Sequence, residues 1–151
     1  MMNYARQVTL ETVKGLTVTE LDYLHDEESN SIGALLLHIA STDFYYQKKS
    51  FEERELTEEE DKKWEAASYL GDTGREKIKG NDLKYYIDIL TEERQIIYEL
   101  LKEKDDEWLY KERELWGKIA NHYFMWFHTF EDEIHHRGQI NWLKKRLKNI
   151  S

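Results

Sequence analysis

The sequence predicts an all-α protein, a four-helix bundle, because it lacks helix-breaking residues and repeats apolar side chains at helical spacing. Its 151 residues include no proline and only 7 glycines, and both residue types are unfavourable inside helices. Apolar side chains recur every three or four positions along four long stretches, as in amphipathic helices. No stretch alternates with period two for long enough to predict a sheet. We therefore expect a single domain, residues 1–151, with any site lying between facing helices.

The first two long helices are predicted from their faces and from one capping signal. Residues 3–14 place Ala5, Val8 and Val13 on one broad face, and Gly15 follows them. After an acidic connection at residues 21–28, Asn30-Ser31 is a candidate N-cap for a second helix that fades near Ser50. Its apolar positions are Ile32, Leu35, Leu36, Ile39, Phe44 and Tyr45.

The second half of the chain predicts one short helix and two long ones. Residues 64–70 predict the short helix, and Gly71-Asp72-Thr73-Gly74 is expected to close it. Asn81-Asp82 is expected to cap the third long helix, which ends in charged residues at 102–107. The apolar stripe of this helix comprises Leu83, Tyr86, Ile87, Leu90, Ile97, Leu100 and Leu101. The fourth long helix is predicted from Trp116 to Leu147.

Composition excludes several classes of function. The net charge of −9 argues against a nucleic-acid partner, because affinity for nucleic acid depends on Lys and Arg that neutralise phosphates. The longest apolar run, residues 123–127, is far shorter than a membrane span. There is no cysteine, which excludes disulfides, thiolate metal sites and a cysteine nucleophile. With no apolar signal region at the N-terminus, we expect a cytoplasmic protein that acts on a small molecule, with no nucleic-acid or membrane partner.

The last predicted helix offers two pairs of possible metal ligands in competing registers. Asp132 and His136 are four residues apart, as are Glu131 and His135, and this spacing places each pair on one helix face. The stripe through His136 continues with apolar residues, Ile140, Leu143 and Leu147. The stripe through His135 continues with the mostly polar set Gln139, Trp142 and Arg146. We therefore expect Asp132 and His136 to face the interior.

A further imidazole, His38, lies in the apolar run of the second helix. A buried imidazole is unfavourable unless its nitrogens have partners. Taken alone, His38 is more often a core histidine, and Asp132 with His136 a surface ion pair. Together they form a set of two imidazoles and one carboxylate that suits a divalent metal with an open position. His128 lies about 12 Å from His136 along the helix axis, so we expect it either to orient a ligand or to be an alternate ligand.

Further residues of the last helix lead to predictions about the metal, the helix packing and a second apolar face. A carboxylate ligand broadens the plausible metals from Zn to Ni, Mn or Fe, and Glu131 or Glu133 is a candidate for orienting a ligand imidazole. Gly138 is unfavourable within a helix, so we expect another helix to approach it closely. A second apolar stripe predicts either a core contact or a homodimer face; its residues are Tyr123, Phe127, Phe130 and Ile134.

Two segments of the chain resemble the DinB/YfiT-like family. They are Leu35-Leu36-Leu37-His38-Ile39-Ala40 and residues 131–140, Glu-Asp-Glu-Ile-His-His-Arg-Gly-Gln-Ile. The resemblance implies an up-down-down-up four-helix bundle whose divalent metal is held by three side chains. Its first ligand maps onto His38, its last onto His136, and its middle ligand, commonly a histidine, onto Asp132. Relatives similar to mycothiol-dependent maleylpyruvate isomerase also carry a carboxylate ligand.

The function implied by the resemblance is that of a divalent-metal-dependent enzyme, with Zn or Ni expected before Mn or Fe. The family includes enzymes that join low-molecular-weight thiols to electrophiles, so a thiol S-transferase is the leading hypothesis. A metal-dependent hydrolase and a non-catalytic stress protein that binds a metal or small ligand are the alternatives. His135 and Glu131 are candidates for proton transfer. The expected partners are a small-molecule substrate and a second copy of the chain.

Overall fold

The computed structural model describes residues 1–147 and is mostly helical, which confirms the all-α prediction. Four helices are long, and the up-down-down-up order implied for them stays a prediction. The long helices are α1 (Met2–Val13), α3 (Ile32–Ser50), α6 (Leu83–Lys102) and α8 (His122–Leu147). The shorter elements are α2 (Val18–Leu21), α4 (Glu58–Tyr69), α5 (Gly71–Lys77), α7 (Asp106–Tyr110), β1 (Glu112–Leu115) and β2 (Lys118–Asn121).

Side-chain caps determine where several helices begin. The Ser31 hydroxyl accepts a hydrogen bond from the backbone N–H of Ala34 at the start of α3, and Asp82 accepts one from Tyr85 at the start of α6. Both caps lie in the dipeptides that the sequence singles out. Thr57 and Glu60 form a capping box at the start of α4, each satisfying a backbone N–H of the other. This cap fixes the short helix that packs against α3.

Two predicted boundaries are wrong. The fourth long helix begins at His122 rather than at Trp116, because residues 112–121 form an antiparallel hairpin. Its two-residue loop has φ values of 54° at Trp116 and 73° at Gly117, and left-handed conformations at both positions favour a tight hairpin turn. The stretch Gly71-Asp72-Thr73-Gly74 does not close the chain into a turn, since it begins α5.

The interior of the protein contains two apolar clusters with charged residues between them. The first cluster includes the apolar side chains from Ile32 to Ala40 of α3, Leu90 of α6 and Ile140 of α8. The second includes Tyr46, Ile97 and Met125 from the same three helices. A buried charged side chain lies between the clusters on each helix; these residues are Asp43, Arg94 and Glu133.

The buried charges form a neutral network that joins the four long helices. Arg94 of α6 donates to Asp43 at 2.9 and 3.0 Å and to Glu133 at 2.8 Å. Arg6 of α1 donates to Asp43 at 3.1 Å and to Glu133 at 3.0 Å, and also to the carbonyl of Leu90. Two guanidinium groups thus neutralise two carboxylates, which is the condition for burying such charges.

The two glycines within long helices have opposite surroundings. A Cβ at Gly138 would meet no atom within 4 Å, so the predicted close approach at that position is wrong. The close approach occurs at Gly33, where a Cβ would lie 2.7 Å from Cζ of Tyr86. Gly33 therefore allows α6 to pack against the first turn of α3.

The second apolar stripe of α8 is largely exposed to solvent. Tyr123, Phe127 and Ile134 are 50%, 44% and 46% exposed, so these three residues are not core residues within the chain. Their use as a homodimer face stays a prediction. No helix among residues 1–147 is long and apolar enough to cross a membrane.

Candidate metal centre

Three of the side chains predicted as ligands lie together where α3 packs against α8. Nε2 of His38 lies 3.6 Å from Oδ2 of Asp132, and Nε2 of His136 lies 3.3 Å from Oδ1 of the same carboxylate. The possible ligand atoms of the three residues all lie within 4.8 Å of one another. The structure thus brings His38, from early in the chain, to the i, i+4 pair of α8.

The His38 imidazole is oriented by the short helix α4. Its Nδ1 lies 2.8 Å from the carbonyl oxygen of Ala67, so Nδ1–H donates and Nε2 keeps its lone pair. Burial lowers the pKa of His38, which favours the neutral imidazole that a metal requires. The backbone of α4 therefore prepares His38 as an Nε2 ligand.

The Nδ1 atom of His136, like that of His38, faces an oxygen acceptor, which in this case belongs to a side chain. Its Nδ1–H donates to Oε1 of Gln139 at 3.4 Å, and the Gln139 amide donates to Nε2 of His135 at 3.0 Å. Although burial opposes it, the hydrogen bond with Asp132 raises the pKa of His136. Burial acts to raise the pKa of Asp132, but the hydrogen bond and charge of His136 outweigh it and lower that pKa.

This donor set fits a divalent metal ion. Both imidazoles direct Nε2 towards one carboxylate, and each Nδ1–H has a carbonyl acceptor, which is the usual outer arrangement of metal-bound histidine. Glu131 and Glu133, which the sequence suggested for orienting an imidazole, have other partners: Glu131 bonds His128, and Glu133 belongs to the buried network. Three protein ligands would leave a coordination position open to a substrate.

A cavity of about 380 Å³ opens beside the donor set. His38 and Asp132 both form part of its wall, so the open side of the site faces this space. The other lining residues come from α3, the connection before α4, α4 itself, the hairpin and α8: Ser41, Thr42, Tyr45, Tyr46, Leu56, Asp61, Ser68, Tyr69, Trp116 and His128. The hairpin that sequence reasoning missed thus contributes Trp116 to the cavity.

The remaining sequence candidates lie outside the three-residue cluster. His128 lines the cavity, and its Nδ1 lies 2.9 Å from Oε2 of Glu131. Its ring also packs edge-on against Trp116 and Tyr46. His135 is exposed and lines a separate groove with Gly138 and Gln139.

Sequence reasoning missed Ala67, Gln139, Tyr46 and Trp116. Gln139 is three residues after His136, a spacing that could have identified it as a partner on the same helix. Ala67 contributes only a backbone carbonyl, which no side-chain pattern reveals. Trp116 precedes a glycine between two short polar segments, and that dipeptide was the available hairpin signal.

A family model described as mycothiol-S-transferase matches residues 1–149 of the chain. No curated protein matches the chain. The matched range contains all three side chains of the candidate metal centre.

Proposed function

The chain belongs to the mycothiol-S-transferase family, within the DinB-like superfamily, and from this we propose that it joins a low-molecular-weight thiol to an electrophilic small molecule. The observation that carries the proposal is the cluster of His38, Asp132 and His136, of which His38 and Asp132 line a cavity. The family name indicates a thiol substrate. The three side chains offer a site for a metal that would activate the thiol.

We propose that the three side chains hold a divalent ion, with Zn or Ni expected before Mn or Fe. When bound, such an ion favours the thiolate form of a thiol at neutral pH. The chain has no cysteine of its own, so the reacting sulfur belongs to the cosubstrate. The sulfur forms a bond to carbon of the electrophile, and the bond from that carbon to its leaving group breaks.

Proton transfer in this proposal belongs to His128. Its Nδ1 is held by the Glu131 carboxylate and its ring lines the cavity, which leaves Nε2 to accept the proton that the thiol loses. Glu131 is then a positioning residue. His135 is less suited to this step because it lines a separate groove.

The charge of the cavity bears on the choice of thiol. Its described lining residues include the carboxylates of Asp61 and Asp132 and neither lysine nor arginine. The proposed ion would neutralise Asp132, but a thiol with negatively charged groups would still meet the Asp61 carboxylate with no lysine or arginine in the described lining. We therefore expect uncharged thiols, such as mycothiol or β-mercaptoethanol, to react better than the anionic thiol glutathione.

Thiol conjugation assays with metal-loaded protein test the proposal. We expect turnover of an epoxide with β-mercaptoethanol, loss of turnover with a chelator, and recovery when Zn²⁺ or Ni²⁺ is returned. The variant His38→Ala should lose about 100-fold or more, since removal of even an outer partner of a metal ligand costs about 10–100-fold. The control His25→Ala removes an imidazole that contacts Trp142, outside the cavity, and should retain activity.

Two outcomes would favour the alternatives. Chelator-sensitive hydrolysis of an ester or amide without thiol-dependent conjugation would make the protein a metal-dependent hydrolase, because the same open position can activate water. Binding of metal and thiol without turnover of any electrophile would make it a binding protein. Conjugation that is unaffected by both the chelator and His38→Ala would contradict the proposed site.

A further inference from the structure

Trp116 lies at the tip of the hairpin in a position that neither the turn nor burial explains. Its φ of 54° and the φ of 73° at Gly117 form the two-residue loop between β1 and β2. Asn-Gly or Asp-Gly is favoured in such a loop, and left-handed backbone is unfavourable for a large side chain. Trp116 is also 63% exposed, so packing does little to offset this strain. Strained residues that persist in folded proteins cluster at functional sites.

The exposed indole of Trp116 borders the cavity beside the candidate metal centre. The described lining of the cavity includes Trp116 together with His38 and Asp132. The indole is nearly perpendicular to the His128 imidazole, and their ring centroids lie 5.8 Å apart. A ring that stacks on Trp116 inside the cavity would therefore lie close to the proposed proton acceptor.

The rest of the lining favours an uncharged aromatic group. Tyr45 and Tyr69 add two aromatic side chains, and Leu56 adds an apolar one. Aromatic rings pair in offset-stacked or edge-to-face arrangements, which stabilise a contact beyond the apolar area that it buries. An anionic ring is disfavoured, because the described lining contains the Asp61 carboxylate and neither lysine nor arginine.

We propose that Trp116 is a specificity-determining residue that stacks on an uncharged aromatic ring of the electrophile. The inference rests on the proposed function and adds a substrate class, electrophiles that carry an aryl group. With benzyl oxirane, the thiol sulfur bonds to the terminal epoxide carbon and the bond from that carbon to oxygen breaks. The electron pair of the broken bond stays with oxygen, which receives the proton that the thiol loses. The phenyl ring takes no part in these bond changes and serves only to hold the substrate.

Binding of two reaction products tests the inference without requiring turnover. One is 1-(2-hydroxyethylthio)-3-phenylpropan-2-ol, the conjugate of β-mercaptoethanol with benzyl oxirane, and the other has cyclohexyl in place of phenyl. Because the two rings differ in hydrophobicity, the readout is the change between proteins in the ratio of the two dissociation constants. Calorimetry with metal-loaded protein should show that Trp116→Leu shifts this ratio by about 2–10-fold against the phenyl compound, the value of one aromatic pair. Trp116→Phe, which keeps an aromatic ring, should stay close to the wild-type ratio.

A second hairpin residue provides the matched control. Trp116 also borders a separate groove of about 500 Å³ along the hairpin, and the exposed side chain of Ile119 lines that groove. Ile119 is absent from the described lining of the cavity. Ile119→Thr should therefore leave the ratio unchanged. A shift as large as that in Trp116→Leu would place the ligand in the groove and overturn the inference.

A substitution that suits the turn separates ligand contact from folding. Trp116→Asn supplies the Asn-Gly pair that this loop favours, so the variant should melt at or above the wild-type temperature. It should nevertheless shift the binding ratio as Trp116→Leu does. A lower melting temperature would show that the hairpin needs the indole for folding and would count against the inference.

Kinetics then connect the ring contact with the reaction. Benzyl oxirane and cyclohexylmethyl oxirane share the same reacting atoms, so the ratio of their kcat/KM values should fall in Trp116→Leu by the factor seen in binding. An unchanged binding ratio in Trp116→Leu, or a wild type that binds neither product, would overturn the inference. Absence of wild-type conjugation with the Trp116-dependent binding ratio intact would instead count against the proposed function.

Discussion

The Nδ1 atoms of His38 and His136 both face carbonyl oxygens, which turns both Nε2 atoms towards Asp132. The acceptors differ in kind, since Ala67 offers its backbone and Gln139 its side chain. Fixed ring orientations of this kind are the usual outer arrangement of metal-bound histidine. At this scale the contacts support the proposed metal site.

Single residues also decide how closely two helices approach. Gly33→Ala should lower the free energy of unfolding by about 1–3 kcal/mol, because the new methyl group overlaps the Tyr86 ring. Gly138→Ala should raise it by about 0.5–1 kcal/mol, since that site has open space and alanine favours helix. Urea unfolding of the two variants measures both values. A stabilising Gly33→Ala would show that Tyr86 moves away without cost.

Sequence reasoning located half of the candidate site at the residue scale. The apolar stripe after His136 selected Asp132 over Glu131, and the structure places Asp132 beside both imidazoles. Nothing in the spacing joined His38 to that pair; the residue types suggested the set, and the family resemblance assigned all three residues as ligands. Tyr46 was not singled out because its burial beside a cavity depends on α4 and the hairpin, which no local pattern predicts.

Between elements, the buried network of Arg6, Asp43, Arg94 and Glu133 fixes the relative positions of α1, α3, α6 and α8. Asp43 is five residues after His38, and Glu133 directly follows Asp132. Each ligand-bearing helix is therefore held close to its ligands. The network also explains why a charge interrupts the apolar face of each helix between the two clusters.

Breaking this network should be costly. Arg94→Met leaves Asp43 and Glu133 sharing only Arg6, and loss of one partner from a buried ion pair costs about 3–5 kcal/mol. Lys84→Met removes a partner of Asp88 from an exposed pair and should cost no more than about 0.5 kcal/mol. Chemical denaturation compares the two. Similar small losses in both variants would mean that the network contributes little to stability.

The elements themselves were predictable where caps and periodicity agree. Ser31 and Asp82 lie in dipeptides read as caps from the sequence, and the helices begin directly after them. The hairpin before α8 was missed because its strands have four residues each, too few for alternation to be visible. The turn at Trp116-Gly117 depends on left-handed backbone that only the glycine suggested.

Across the whole molecule, α3 and α8 supply both the carboxylates of the buried network and the candidate metal ligands. The first apolar cluster surrounds the N-terminal half of α3, and the second packs around its C-terminal half. The cavity beside the three ligands is closed by α4, the hairpin and α8. Under the proposed function, the metal, the thiol and the electrophile would meet in this space.

Metal content of the purified protein tests this account most directly. After chelation and reloading with Zn²⁺ or Ni²⁺, mass spectrometry of the metal should find one ion per chain in the wild type and in His135→Ala. The variants His38→Ala and His136→Ala should retain about one tenth or less, in line with the effect of losing a ligand. A wild type that holds no more metal than His38→Ala, or an equal loss in His135→Ala, would contradict the proposed site.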